Sequence, residues 1–159
     1  MALNTFIKMD SIKGESQDAK HKDEIDVLSW SWGLEQPDVI PSGRGRAAGK
    51  VSVHDLSITK CTDISTPQLM LTCANGGHIK EAWLTVRKSD QNQFEFVRIR
   101  MSDVTVRAVS TTDSGADSIT ENVALNFAKV QVDYVQQRPG GAAGPTVQFK
   151  WDFQANKPF

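Results

Sequence analysis

The chain has only two cysteines, Cys61 and Cys73, and three histidines, His21, His54 and His78. Cysteines this far apart make neither half of a paired-ligand motif, and the histidines are equally scattered, so no metal site and no cofactor is expected. Both thiols are expected to be reduced, as in a protein folded in the cytoplasm. Long hydrophobic runs are lacking: none approaches the roughly 20 residues of a transmembrane helix, which argues against membrane insertion. The opening residues, MALNTFIKMD, hold no basic region followed by an apolar block, so no ordinary signal peptide is expected. An excess of charge is lacking too. Lys and Arg number 18 against 19 Asp and Glu, which argues against a chain whose main work is non-specific nucleic-acid binding.

Catalytic patterns are equally scarce. GRGRAAGKV, Gly43 to Val51, has the composition of a phosphate loop but not its spacing. Gly43 leaves five residues before Gly49 where the motif needs four, Gly45 leaves three, and Val51 stands where a hydroxyl would bind magnesium. No serine sits in a G-x-S-x-G elbow. Cys73 lies in an apolar helical stretch and reads as a core residue, and His54-Asp55 as a surface or bulge pair rather than a dyad. No catalytic residue is assigned.

Strand patterns are present in abundance. At 159 residues the chain can bury one sizeable core, and residues 1–159 are read as a single domain. TENVALNFAKVQVDYVQ, Thr120 to Gln136, alternates with period two and has no Gly or Pro. Val123, Leu125 and Phe127 share one face, with Leu125 and Phe127 assigned to the core, but Val130, Val132 and Tyr134 take the other parity. Either a β-bulge sits near Ala128 or one long strand is buried on different faces along its length. Ile25 to Gln36 reads as another strand. There Leu28, Trp30, Trp32 and Leu34 share an apolar face, with Trp30 and Trp32 in the core, and Ser29 and Ser31 point the other way. Further strands are expected at Leu3–Met9, Val51–Lys60, around Ala82–Val86, at Phe94–Met101, at Val104–Ala108 and at Val147–Phe153. Ser11–Glu24 reads as a solvated loop and Pro139–Pro145 as a linker. One short helix is expected, with Thr66 as N-cap, Pro67 in its first turn and Asn75-Gly76-Gly77 at its end. The fold class is therefore all-β with one short α-helix, in a closed or nearly closed barrel. Apolar residues on both faces of several strands are explained equally by local bulges or by a neighbouring subunit.

Five blocks in order, FIKMDSIKGES, EIDVLSWSWGLEQ, GKVSVHDLSITK, STPQLMLTC and ITENVALNFAKVQVDY, resemble the haemolysin-coregulated protein (Hcp) family from Met1 to about Tyr134. The resemblance implies two β-sheets closing a barrel like that of phage tail-tube proteins. It implies a homohexameric ring, and rings stacked into the inner tube of the type VI secretion system of a Gram-negative cell. Its implied partners are further copies of itself, the sheath and spike proteins, and effectors carried in the ring. Such a protein assembles in the cytoplasm and is then secreted. Some members carry a toxin domain after the barrel; with the chain ending at Phe159, no such extension and no enzymatic activity are expected. The alternatives are a secreted enzyme or toxin, or a ligand-binding β-barrel. Within the ring reading, Ser29 and Ser31 are expected to line the lumen, where small hydroxyl side chains leave the channel open. The loop Pro37 to Gly49, with Arg44, Arg46 and nearby Lys50, is expected to reach the next ring and meet acidic loops holding Asp10, Asp18, Asp113 and Asp117.

Overall fold

The computed structural model describes residues 2–39 and 47–159. In chain order the strands are β1 (Leu3–Met9), β2 (Ile25–Val27), β3 (Ser29–Ser31), β4 (Leu34–Glu35), β5 (Asp38–Val39), β6 (Ala47–Ala48), β7 (Ser52–Val53), β8 (Leu56–Cys61), β9 (His78–Lys88), β10 (Glu95–Thr112), β11 (Thr120–Gln137) and β12 (Ala143–Asp152). The helix α1 (Ser65–Asn75) lies between β8 and β9.

One sheet runs β2-β1-β9-β10-β11-β8-β3, with β12 also paired to β11. Its two end strands are neighbours in the chain, separated by Leu28 alone. Residues 25–27 pair with β1 and residues 29–31 with β8, so one bent segment bridges both edges and rolls the sheet into a nearly closed barrel. At the bend the Leu28 N–H donates to the Thr59 carbonyl at 2.8 Å, and the Leu28 side chain is turned out, 60% exposed. This corrects the single buried strand expected from Ile25 to Gln36. Leu28 and Leu34 are exposed, while Trp30 and Trp32 are half-buried against the core rather than inside it. Trp32 leans on Phe127, with ring centroids 5.8 Å apart.

β10 and β11 run through both halves of the barrel. β10 is one strand where two were expected. The phase change in β11 needs no inserted residue, because Ser102↔Lys129 and Val104↔Phe127 keep one register across Ala128. Both strands change their buried parity together, from Met101 to Val104 and from Phe127 to Val130, and Asp103 takes a left-handed φ of 54° at that corner. The extra residue in this ladder lies elsewhere, between Val106 and Ala108. Beyond the corner β11 also changes its second partner, from β8 to β12. Leu125 is fully buried and Phe127 nearly so. Pro139–Pro145 is not a linker: Arg138 and Ala142 close a turn by a 2.8 Å backbone bond, and β12 begins at Ala143.

The helix begins earlier than its Thr66-Pro67 signal. Asp63, not Thr66, meets its free N–H groups, accepting from Ser65 N at 2.9 Å and from the Ser65 hydroxyl. Gly76 ends it with φ 67°.

Residues 11–24 are not a solvated loop. Ile12, Ser16 and His21 are buried, and beneath them so are Phe6, Thr85 and Arg87. The His21 ring stacks on Phe6 at 4.4 Å, and its two nitrogens lie 2.9 Å from Glu24 and 2.8 Å from Glu95. Burial opposes ionisation of Glu95, but hydrogen bonds from Arg98 and His21 outweigh it and leave its pKa lowered. Arg87 holds Asp18 through two hydrogen bonds, and that bonding lowers the Asp18 carboxyl from 3.8 to about 2. A carboxyl whose pKa is depressed by folding stabilises the fold above its unfolded value and loses that contribution as pH falls toward its folded value. Amide protection of residues 11–24 should therefore weaken as pH falls from 3.8 toward about 2. In Asp18→Asn it should already be weaker at neutral pH, with less further loss across that window. Hydrogen exchange at the two pH values checks this; identical profiles for both proteins would show that the Arg87 contact does not hold the loop.

Candidate functional site

The distal half of the barrel, formed by β3, β8, β11 and the end of β10, presents an outward face built in rows. One row is Ser31, Ser57, Ala124 and Ala108; the next is Ser29, Thr59, Asn122 and Ser110. Strand alternation puts these residues opposite Leu56, Ile58, Val123 and Leu125, which are buried. Every side chain in the two rows is small and uncharged. Ser29 and Ser31 are exposed, and the Thr59 hydroxyl donates to Asn122 Oδ1 at 2.7 Å. Among the described residues β3 pairs only with β8, and β10 beyond Thr105 pairs only with β11. The neutral face is thus bounded by two strand edges with no further ladder partner, and α1 packs against β10 on one side.

Behind this face lies a charge pair that pattern-reading missed. Lys60 and Glu121 side chains are both 0% exposed and hydrogen-bonded to each other. Lys60 Nζ also meets Asp63 at 3.0 Å and the Cys61 carbonyl at 2.9 Å. Glu121 accepts from the hydroxyls of Thr66 at 2.7 Å and Thr62 at 3.2 Å. The network fastens the start of α1 to β8 and β11. The available signal was parity: Lys60 falls in step with Leu56 and Ile58, and Glu121 with Val123 and Leu125.

The second feature is an arm. β4 pairs with β7, and β5 with β6. β8 runs from Leu56 toward the β10–β11 turn, so β4 and β7, which join the opposite ends of β3 and β8, continue away from that turn. Leu34 and Val51 line a 350 Å³ groove with Phe149 and Trp151, which pair with the far half of β11. Gln36 Oε1 accepts the Gly49 N–H at 2.7 Å and ties the two sides of the arm. Lys50 is exposed; Arg44 and Arg46 lie outside the described residues. Asp113 and Asp117 are exposed on the β10–β11 turn, at the end away from the arm. Asp18 is engaged by Arg87, and Asp10 is half-buried.

His54 pairs with exposed Glu35 at 2.6 Å, while Asp55 accepts from Asn126. His78 meets Asp103 on the surface at 2.6 Å. Cys61 and Cys73 are half-buried and both free. Among the described residues no cluster of three or more His, Cys, Asp or Glu side chains could hold a metal ion, and no helix is long and apolar enough to cross a membrane.

The family described as "Type VI secretion system effector, Hcp" matches residues 6–134. The chain belongs to the Hcp family. It is 50% identical to protein Hcp1 of Pseudomonas aeruginosa over 98% of both chains. Its fold superposes on Hcp1 from Salmonella typhimurium with a TM-score of 0.84 at 38% identity, over all of both chains. A solved type six secretion system protein gives a TM-score of 0.91 at 29% identity, over 98% of this chain and 99% of the other. Hcp proteins are secreted tube proteins of type VI secretion, and the barrel described above is the Hcp fold.

Proposed function

We propose that this Hcp chain is the ring-forming subunit of a type VI inner tube. Copies close a hexameric ring, rings stack head to tail, the tube is expelled when the sheath contracts, and effectors ride in the lumen. The observation that carries this reading is the neutral four-stranded face ending on one side at β3, an edge with no further ladder partner, and on the other at β10, against which α1 packs. Exposed strand edges are normally covered or blunted, and the β3 edge on one side of this face suits a heterologous contact that repeats around a closed ring. The face itself would then form the inner wall. Ser29 and Ser31 would stand in it, their hydroxyls able to donate to or accept from cargo and their size leaving the channel open.

Electron microscopy of the purified protein should show hexameric rings with an open centre. Ser31→Arg should leave the rings intact but change which effectors co-purify with them. A monomeric protein would sink the ring reading. Intact Ser31→Arg rings that hold the wild-type cargo set would remove Ser31 from the lumen.

A further inference from the structure

Of the three histidines only His21 is buried, and its ring has an acceptor at each end. Nδ1 lies 2.9 Å from Glu24 and Nε2 2.8 Å from Glu95, and the two carboxylates are themselves only 13% and 19% exposed. An ionised carboxylate only accepts, and a neutral imidazole has a single N–H to give, so both bonds are made together only by the doubly protonated ring. The ring lies flat on Phe6 of β1, which fixes its plane. Its bond to Glu95 ties residues 11–24 to the start of β10, 74 residues along the chain, and beneath that segment Phe6, Thr85 and Arg87 are buried. The two carboxylates do not depend on His21 equally. Glu95 also accepts from Arg98, at 2.7 and 3.2 Å. Among the described residues Glu24 has no other ion-pair partner. When the ring gives a proton to solvent, the one that remains is kept on Nδ1 for Glu24, and Nε2 turns a lone pair toward Glu95. The link that opens is the one to β10.

We propose that His21 is a proton-operated latch: doubly protonated, it pins residues 11–24 over β1 and β9, and on losing a proton it releases them from β10. The device lies within one chain and does not depend on how copies assemble. Imidazole is the side chain that ordinarily changes charge between about pH 5 and 8. Interactions made only by the protonated ring are present at low pH and are lost as pH rises. The Asp18–Arg87 contact fails at the acid end instead, so the segment is closed within a two-sided window. The other charges around the ring are Asp18 and Lys20 from its own segment, Lys8 from β1, Asp26 from β2, Arg87 from β9 and Arg98 from β10. Lysine and arginine ordinarily keep their charge across that range. Asp18 and Glu95 are held below their usual values by their hydrogen bonds. Asp26 stands opposite Phe6, and partial loss of hydration raises its carboxyl above the usual value. Its ionisation would act in the same direction as the latch, and the His21→Gln variant separates the two.

Hydrogen exchange of the full chain, read by mass spectrometry from about pH 5 to about pH 9 and corrected for the intrinsic pH dependence of exchange, tests this. In the wild type, protection of residues 11–24 should fall as pH rises by about tenfold or more, the scale of one hydrogen bond to a charged group, while β11 stays protected. His21→Gln takes up no proton, so its protection there should be flat with pH and no better than that of the wild type at the alkaline end. In Glu24→Gln the amide can donate to Nδ1, which leaves a neutral ring its Nε2–H for Glu95; this variant should stay protected to the alkaline end. Wild-type protection that does not change with pH overturns the proposal. A loss that persists in His21→Gln would belong to Asp26 and overturns it too, as does a loss in Glu24→Gln equal to that of the wild type. Should His21→Gln fail to fold, the Glu24→Gln profile decides alone.

Discussion

Lys60→Met is expected to destabilise the fold by about 3–5 kcal/mol, as is usual when one partner of a buried ion pair is removed. The methionine has room, because it fills much of the lysine's volume. The loss comes from Glu121, which would keep its carboxylate at 0% exposure with only the Thr62 and Thr66 hydroxyls to meet it. Asp63 would lose its cation at 3.0 Å while still capping α1. The double variant Lys60→Met/Glu121→Leu should recover most of the stability, since an apolar pair of similar volume often equals or exceeds a buried ion pair. Non-additivity between the single and double variants is the signature of the contact itself. Urea unfolding at neutral pH measures all three. A Lys60→Met midpoint equal to that of the wild type would show that the pair contributes nothing.

Shortening Pro37–Gly49 to a brief turn between β4 and β7 should leave hexameric rings but abolish both tubes and export. The arm leaves the barrel at the end away from the β10–β11 turn, and it pairs through β4–β7 and β5–β6, neither of which touches the bounding edges of the neutral face. Ring closure should therefore survive its loss. Stacking should not, because the arm's sequence carries Arg44, Arg46 and Lys50 while Asp113 and Asp117 stand at the opposite end. Oppositely charged ends favour head-to-tail growth, which extends without closing. Each exposed pair is worth only about 0–1 kcal/mol and is screened by salt, so wild-type stacking should be weak and salt-sensitive. Sedimentation of the purified protein and its recovery from culture medium check the two parts. Normal stacking and export by the shortened protein would reduce the arm to a connection.

What the sequence made legible was periodicity. Leu3–Met9, the Ala82–Val86 stretch and the two parities of Thr120–Gln136 all became strands where alternation placed them, and Gly76 ended the helix where its conformational freedom suggested. What it hid were departures from period two that only a partner strand imposes. Leu28 looks like a core residue until the chain changes partners at that residue. Ser102-Asp103 looks like a turn, yet Asp103 absorbs the bend with a left-handed φ and β10 runs on. Polar composition disguised residues 11–24, because His21 and Asp18 are buried or held by partners far along the chain, Glu95 and Arg87. Of the candidate site, Ser29 and Ser31 could be marked from their alternation with the tryptophans. The neutral rows they belong to could not, since these depend on the registers of four strands.

The bridging segment at residues 25–31 also sets the order in which the barrel can form during synthesis. Its first half needs β1, but β1 is itself held by β9, in a register that pairs Leu3 with Lys88. Its second half needs β8, whose other neighbour, β11, starts at Thr120. At typical elongation rates β1 waits on the order of ten seconds for β9 to be made, and β8 also waits for β11. The N-terminal third of the chain therefore leaves the ribosome with β1 paired to β2 but still lacking β9, so the barrel cannot close. Closure is expected among the last folding events, with the slowness that distant pairings bring. Until then the strand edges at β1 and β8 are open to any chain nearby. Newly made chains are thus most exposed to misassembly before the barrel closes.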